Sequence, residues 1–185
     1  MIDLHINTAA IARLGNIFKA AGKNAKDAER RAINHTGDKA RTAMRRVLVP
    51  QTGLKRKTIN KALKSTRASY SSGAYIIRSK GGNVRVMFFH ARETRAGVSA
   101  APWNARRVYP HTFMKGGRFP KRVALKLGGA VLERAGSARF PLHGVKSGLF
   151  IPEEMVKGES ETAFYATVER ELPARLAHEL YRVLG

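Results

Sequence analysis

Apolar positions along the chain follow two periods. Ile11, Leu14, Ile17 and Phe18 recur at helical spacing, with Asn7 or Thr8 placed to cap them, which predicts a short helix over 8–20 ended by Gly22. Asn24 opens a second, longer helix, with Asp27 at the capping-box distance. Ala28, Ala32, Thr36, Ala40, Ala43 and Val47 form one stripe of mostly small residues along it, which allows a neighbouring helix or sheet to approach closely. Gly37 interrupts this stretch and predicts a kink or a frayed turn, and Pro50 predicts its end. After a turn at Gln51-Thr52-Gly53, a third helix is predicted over 54–64. Leu54, Thr58, Ile59, Ala62 and Leu63 lie on one side of it, and Lys55, Arg56, Lys57, Lys61 and Lys64 on the other.

The period then shortens. Residues 74–77 form a β-rich run and Lys80-Gly81-Gly82-Asn83 supplies turn chemistry. Val84, Val86 and Phe88 alternate with Arg85 and Met87, which predicts a hairpin. Further extended runs are predicted over 108–115 and 123–134, the second interrupted by Gly128-Gly129 as a bulge or turn. Phe140-Pro141-Leu142 reads as a last edge strand. Residues 90–107 have no strong period, and a stretch this long predicts a surface arm that orders against a partner. Arg92, Arg95, Trp103, Arg106 and Arg107 are its candidate interface residues. Trp103 is either an interface anchor or a loop residue tucked onto its own sheet. In the C-terminal segment Ser160 is placed as a cap, and Phe164, Val168, Leu172, Leu176, Leu180 and Leu184 follow at i+4 spacing. Glu171 and Arg175 form a favourable pair, and Pro173 predicts a kink or a new helix start.

Charge changes the picture most. The chain of 185 residues has 35 Lys and Arg against 13 Asp and Glu, a formal charge of +22. Such a field repels itself unless something anionic is near, which points to nucleic acid or an acidic protein assembly. The surplus is uneven: residues 153–185 carry four basic and seven acidic side chains, and everything from Lys19 to Pro152 is strongly basic. The acidic segment is either a solvated amphipathic helix or one that meets a basic surface, in this chain or in a neighbouring copy. The length fits a single domain, 1–185, with a basic helical part (1–66), a β-rich part (67–152) carrying the arm at 90–107, and an acidic C-terminal helix (153–185).

Candidate chemistry is sparse. The absence of cysteine excludes disulfides, thiol catalysis and Cys-ligated zinc. No two of the six histidines stand at metal-ligand spacing, so they read as solvated or core residues. Glu153-Glu154 reads as exposed and ordinary. Neither Gly81-Gly82, Gly116-Gly117 nor Gly128-Gly129 belongs to a nucleotide-binding loop, and no Gly-x-Ser-x-Gly elbow occurs. No enzyme and no cofactor are expected. No apolar run approaches the ~20 residues of a membrane span, and the first twenty residues lack a signal-peptide pattern, so no membrane contact is expected.

Cations cluster on the predicted helices at Arg41, Arg45, Arg46, Lys55, Arg56, Lys57, Lys61 and Lys64, with Arg67 just beyond. They are candidates for facing DNA or a protein partner. Tyr70, Tyr75, Phe88, Phe89 and Tyr109 read as sheet core or sheet edge, not as a base-stacking platform. Residues 38–64 have a helix–link–helix outline, but Val49-Pro50-Gln51-Thr52-Gly53 is not a typical helix-turn-helix link. Backbone tracking without base reading is the mode these residues permit, the alternative being contact with acidic subunits.

Several blocks, in order, resemble the minor tail protein Z family of tailed bacteriophages and prophages. They are Ala32-Ile33-Asn34-His35-Thr36-Gly37-Asp38-Lys39-Ala40-Arg41-Thr42 with Gln51-Thr52-Gly53-Leu54, then Phe89-His90-Ala91-Arg92-Glu93-Thr94-Arg95-Ala96-Gly97-Val98-Ser99, then His111-Thr112-Phe113-Met114. Val131-Leu132-Glu133-Arg134-Ala135-Gly136 with Arg139-Phe140-Pro141-Leu142, and Gly148-Leu149-Phe150-Ile151-Pro152-Glu153-Glu154-Met155, complete the set. The similarity spans about residues 25–184. It implies an α+β fold, with N-terminal helices and a C-terminal helix on an antiparallel sheet, as in head–tail joining proteins. It also implies a virion structural role in tail completion, a homo-oligomeric ring on the tail, and contacts with other tail and neck proteins. DNA would pass through the assembly, with non-specific contact. The location implied is the virion tail, and the host cytoplasm during assembly. No catalytic residues are carried over. The rival expectation is a free, sequence-nonspecific nucleic-acid-binding protein.

Overall fold

Two long helices lie antiparallel along one another and organise the rest of the chain. In this computed structural model the described residues are 2–6, 22–118 and 120–184, so the helix predicted over 8–20 lies outside them. Helix α1 (Ala25–Thr52) buries Ala28, Ala32, Thr36, Gly37 and Ala40, and larger Met44 and Leu48 follow toward its C-terminal end. The C-terminal helix, defined below as α4, packs along it. Arg31 pairs with Glu179 at 2.8 Å and Lys39 with Glu171 at 2.6 Å, and Gln51 Oε1 accepts from the Ser160 N–H at 3.2 Å. Numbers that rise on one helix fall on the other, which fixes the antiparallel sense.

Three helix-breaking signals are overridden. Gly37 neither kinks nor frays α1. It is a contact point, where an added Cβ would sit 2.3 Å from Cγ of the Tyr75 ring. Pro50 lies inside the last turn of α1, which closes at Thr52, where Gly53 takes left-handed backbone (φ 73°) and donates to the Val49 carbonyl at 3.0 Å. One local and one tertiary bond hold that turn: the Thr52 hydroxyl donates to the Leu48 carbonyl within the helix at 2.7 Å, and Asn104 Nδ2 to the Pro50 carbonyl at 2.6 Å. Pro173 likewise stays within one continuous C-terminal helix. At the start of α1, Asn24 makes no side-chain cap, and Asp27 accepts from Arg30 and Tyr70 instead.

Helix α2 (Arg56–Ala62) is shorter than predicted, because Leu63 turns extended and begins β2 (Leu63–Thr66). The first sheet has the order β1 (Ile2–Ile6), β3 (Tyr75–Ser79), β2, all antiparallel, with Ile77 opposite Leu4 on one side and Ser65 on the other. Tyr75, Ile77 and Ser79 alternate inward, as period two requires. Both edges of β3 are therefore occupied, and the predicted hairpin with 84–88 does not form. Val84 donates to the Leu149 carbonyl at 2.9 Å and Val86 to the Val145 carbonyl at 3.0 Å, after which Val86–Phe88 closes as a 3-10 turn.

Residues 90–107, expected as a surface arm, fold onto their own chain. Strands β4 (Arg92–Thr94), β5 (Gly97–Ala100) and β6 (Arg107–Pro110) form an antiparallel sheet with β5 central and fully buried. Val98 and Ala100 join the main core, and that apolar contact supplies what the weak periodicity concealed. Strands β7 (Thr112–Phe113), β10 (Leu132–Arg134) and β11 (Leu142–Gly144) make a third sheet, with β11 at an edge; it starts only at Leu142, so Phe140 and Pro141 of the predicted edge strand lie outside it. β8 (Lys115–Gly116) pairs with β9 (Val123–Ala124). Gly128 and Gly129, with φ of 65° and 75°, turn the chain between β9 and β10. The short helix α3 (Ile151–Met155) then leads into α4 (Gly158–Leu184), which buries Phe164, Leu172, Leu176 and Leu180. The Ser160 hydroxyl does not cap α4: it donates backward to the Glu154 carbonyl at 2.6 Å. Glu171 does not pair with Arg175, which bonds Glu179 at 2.5 Å, because Lys39 and Arg170 occupy Glu171. The fold is α+β, helices with antiparallel sheets, and its strands at 2–6 and 63–66 lie within the part read as helical.

Candidate cationic interface

Helix α2 buries Ile59 between the flanking Leu54 and Leu63, and this sets which residues face out. Lys55, Arg56, Lys57, Lys61 and Lys64 are all exposed, and none has a carboxylate partner among the described residues. Alongside, α1 brings Arg41, Arg45 and Arg46. Arg45 Nη1 donates to Asn60 Oδ1 at 3.3 Å, and Arg41 Nη2 reaches the Leu63 carbonyl at 3.5 Å. Burial, and then the neighbouring charges of Arg56, Arg41 and Arg46, hold the Arg45 guanidinium below its ordinary range, although it remains cationic. Arg41, Arg45 and Arg56 thus share one patch continuous with the lysines of α2, whereas Arg46 lines the groove between α1 and α4 with Lys39 and Arg170. Arg67 is placed differently. It is exposed but pairs with Asp38, whose other oxygen accepts from the Tyr75 hydroxyl at 2.9 Å.

Beside the ridge, Lys61 and Arg85 flank a groove of about 400 Å³ lined by Ala62, Val84, Phe88 and Ile151. Phe88 is 42% exposed there. Cations next to an apolar trough suit a partner that is both anionic and partly apolar, or a nucleic-acid backbone whose sugars reach the trough.

The predicted arm residues divide. Arg106 Nη1 bonds Ser99 Oγ at 3.2 Å. Arg107 donates to the Ser147 carbonyl at 2.6 Å and to Tyr109 Oη at 2.8 Å, and lies over the Tyr109 and Trp103 rings. Trp103 is tucked onto its own chain, its Nε1 donating to Glu154 Oε1 at 3.1 Å. Those three make contacts within the fold while staying exposed, whereas Arg92 and Arg95 are exposed without carboxylate partners among the described residues.

Glu154 was expected to be exposed and is buried, because α3 turns it inward. Burial raises its pKa, the largest single influence. Donation from Gln51, Lys157 and Trp103 outweighs it and leaves the carboxyl below its ordinary range. Glu179 follows the same logic among Arg31, Arg175 and Arg182. Much of the acidic C-terminal charge is thus spent on basic residues of the same chain. His111, Lys115, Arg122 and Arg134, absent from the expected site, line one pocket together with Arg95. They are dispersed in sequence and come together only through the pairing of three sheets.

Among the described residues no three His, Asp or Glu side chains are grouped to hold a metal ion, and no helix is long and apolar enough to cross a membrane. No protein-family model, curated protein or solved structure matches the chain.

Proposed function

We propose that this protein is a structural component of a phage or prophage tail, non-enzymatic, acting in tail completion and head–tail joining by self-assembly around the DNA path. The observation that carries this reading is the ridge of cations without carboxylate partners among the described residues, exposed along α2 and half-buried at Arg41 and Arg45 of α1. A stiff cationic face of this kind engages polyanions through phosphate charge without reading sequence. The blocks that resemble the tail protein Z family supply the particle in which such a face would work. Copies arranged by closed rotational symmetry would turn a one-sided ridge into a continuous cationic band.

A gold-tagged copy of the protein, imaged by negative stain on purified phage particles, is expected at the head-proximal end of the tail. Label absent from both tail and head–tail junction overturns the reading. The same ridge also suits a free, sequence-nonspecific nucleic-acid-binding protein, and that outcome is recognised by tight DNA binding of the isolated chain with no label on particles.

A further inference from the structure

We propose that the pocket between the β4–β5 turn, β7–β8 and β10 is a phosphoryl-binding site that accepts a nucleotide-sized phosphate ester. The pocket has a volume of about 400 Å³. Its walls carry Arg95 from the β4–β5 turn, His111 from the β6–β7 corner, Lys115 from β8, Arg122 from the segment before β9, and Arg134 from β10. Five separate stretches of chain thus deliver basic groups to one cavity.

Charge bookkeeping favours an anion there. No carboxylate is among the described lining residues; Glu93, nearly buried behind the wall, pairs with Arg122. Among the described residues Arg95, Lys115 and Arg134 have no carboxylate partner; Arg134 donates to the Ala138 carbonyl (3.3 Å) and lies over the Phe113 ring. Cations gathered around a cavity repel one another unless a ligand neutralises them. A phosphoryl group, compact and multiply charged, matches converging Arg and Lys donors better than a single carboxylate does.

The remaining lining fits the rest of a nucleotide. The Arg134 guanidinium carbon stands 5.6 Å from the Phe113 ring centroid, so a flat apolar and cationic surface adjoins the charged groups. Aromatic and guanidinium planes of this kind stack bases with little regard to identity. Gly116 and Gly117 form part of the wall, with Leu125 packed against Gly116 from the side a Cβ would take. The volume lies within the ~300–1,000 Å³ typical of small-ligand pockets. This site is separate from the α2 ridge and does not depend on the tail reading.

The phosphate has two sources, a free nucleotide or the terminal phosphate of a DNA strand. The test is calorimetric titration of the whole protein at low salt with dAMP, with deoxyadenosine as the uncharged control. Saturable binding of dAMP is expected, with about tenfold or greater loss for deoxyadenosine and for the double variant Arg95→Ala/Lys115→Ala. Both side chains are exposed, so the variant keeps the fold. The ridge variant Lys57→Ala/Lys61→Ala is expected to bind dAMP as the parent does. No saturable dAMP binding, or equal affinity in the pocket variant, overturns the proposal. Competition with a short strand then assigns the source. A 5′-phosphorylated strand that displaces dAMP far better than its unphosphorylated twin identifies strand ends, and equal weak displacement identifies a free nucleotide.

Discussion

The ring of Tyr75 rests on the bare backbone of Gly37, closer than any side chain at that position would allow: a Cβ would lie 2.3 Å from Cγ and 2.4 Å from Cδ2. The ring has nowhere to withdraw, because it is fully buried and its hydroxyl is held by Asp38. Gly37→Ala gains about 1 kcal/mol of helix propensity. It loses roughly 1–3 kcal/mol to overpacking, or more if β3 must shift away from α1. A net fall in the urea midpoint is expected, whereas Gly81→Ala, with no atom within 4 Å of the added methyl, leaves the midpoint unchanged. Equal midpoints for Gly37→Ala and the parent would show that the close contact is not a constraint.

Acid is expected to loosen the helix pair. The carboxyls of Glu154, Glu171 and Glu179 are held below their ordinary range, so their stabilising contribution is complete above the unfolded-state pKa and is lost as pH falls through the lower folded-state values. Glu29, raised by burial, works in the opposite sense but stands alone against these three and Asp27, which is also lowered, on this helix pair and its junction. Urea midpoints should therefore drop as pH falls below about 5. Glu179→Gln should be less stable at neutral pH and show a shallower acid slope, since its three arginine partners lose their carboxylate at every pH. Parallel profiles for variant and parent would remove Glu179 from the account.

Helices were legible because their signals are local. The small stripe from Ala28 to Ala40 and the apolar set from Phe164 to Leu180 mark the two faces that meet, and the lysines of α2 fall on its outer side by spacing alone. Breaker residues misled for a physical reason: Gly37 and Pro50 are judged by propensity in sequence but by contacts with Tyr75 and Asn104 in the fold. Strand partners were not legible, since β3 pairs with residues more than sixty positions away in β1 and residues 84–86 pair with 145–149. The cationic ridge lies within one helix and the end of another and could be read directly. The pocket at Arg95, Lys115 and Arg134 depends on three sheets and was invisible for the same reason as the pairing.

The ridge makes a quantitative demand on salt. If about six of its cations contact phosphates, affinity for duplex DNA should fall by about a thousandfold between 50 and 200 mM salt. Each of Lys57→Ala and Lys61→Ala should reduce the log–log slope by about one, uniformly across sequences. Fluorescence anisotropy with two unrelated duplexes measures both quantities. A slope unchanged by both substitutions would place DNA contact elsewhere on the molecule.

Trp103, the only tryptophan, ties the β5–β6 link to the helices and reports on it. Its Nε1 donates to Glu154, and the adjacent Asn104 donates to the Pro50 carbonyl at the end of α1. The sheet formed by residues 92–110 is therefore fastened to both α1 and α3, and should unfold with them. In denaturant, tryptophan emission and helical ellipticity are expected to change together in one transition. Trp103→Phe keeps most of the ring area but removes the donor. Glu154 Oε1 retains Lys157 at 2.9 Å, so the loss should sit near the low end of the range for a buried acceptor, about 1 kcal/mol. For a chain of this size that corresponds to a fall of about 2–4 °C in Tm. Emission that changes well before ellipticity would instead mean that this sheet detaches on its own, and that the contacts at Glu154 and Pro50 do not couple it to the helix pair.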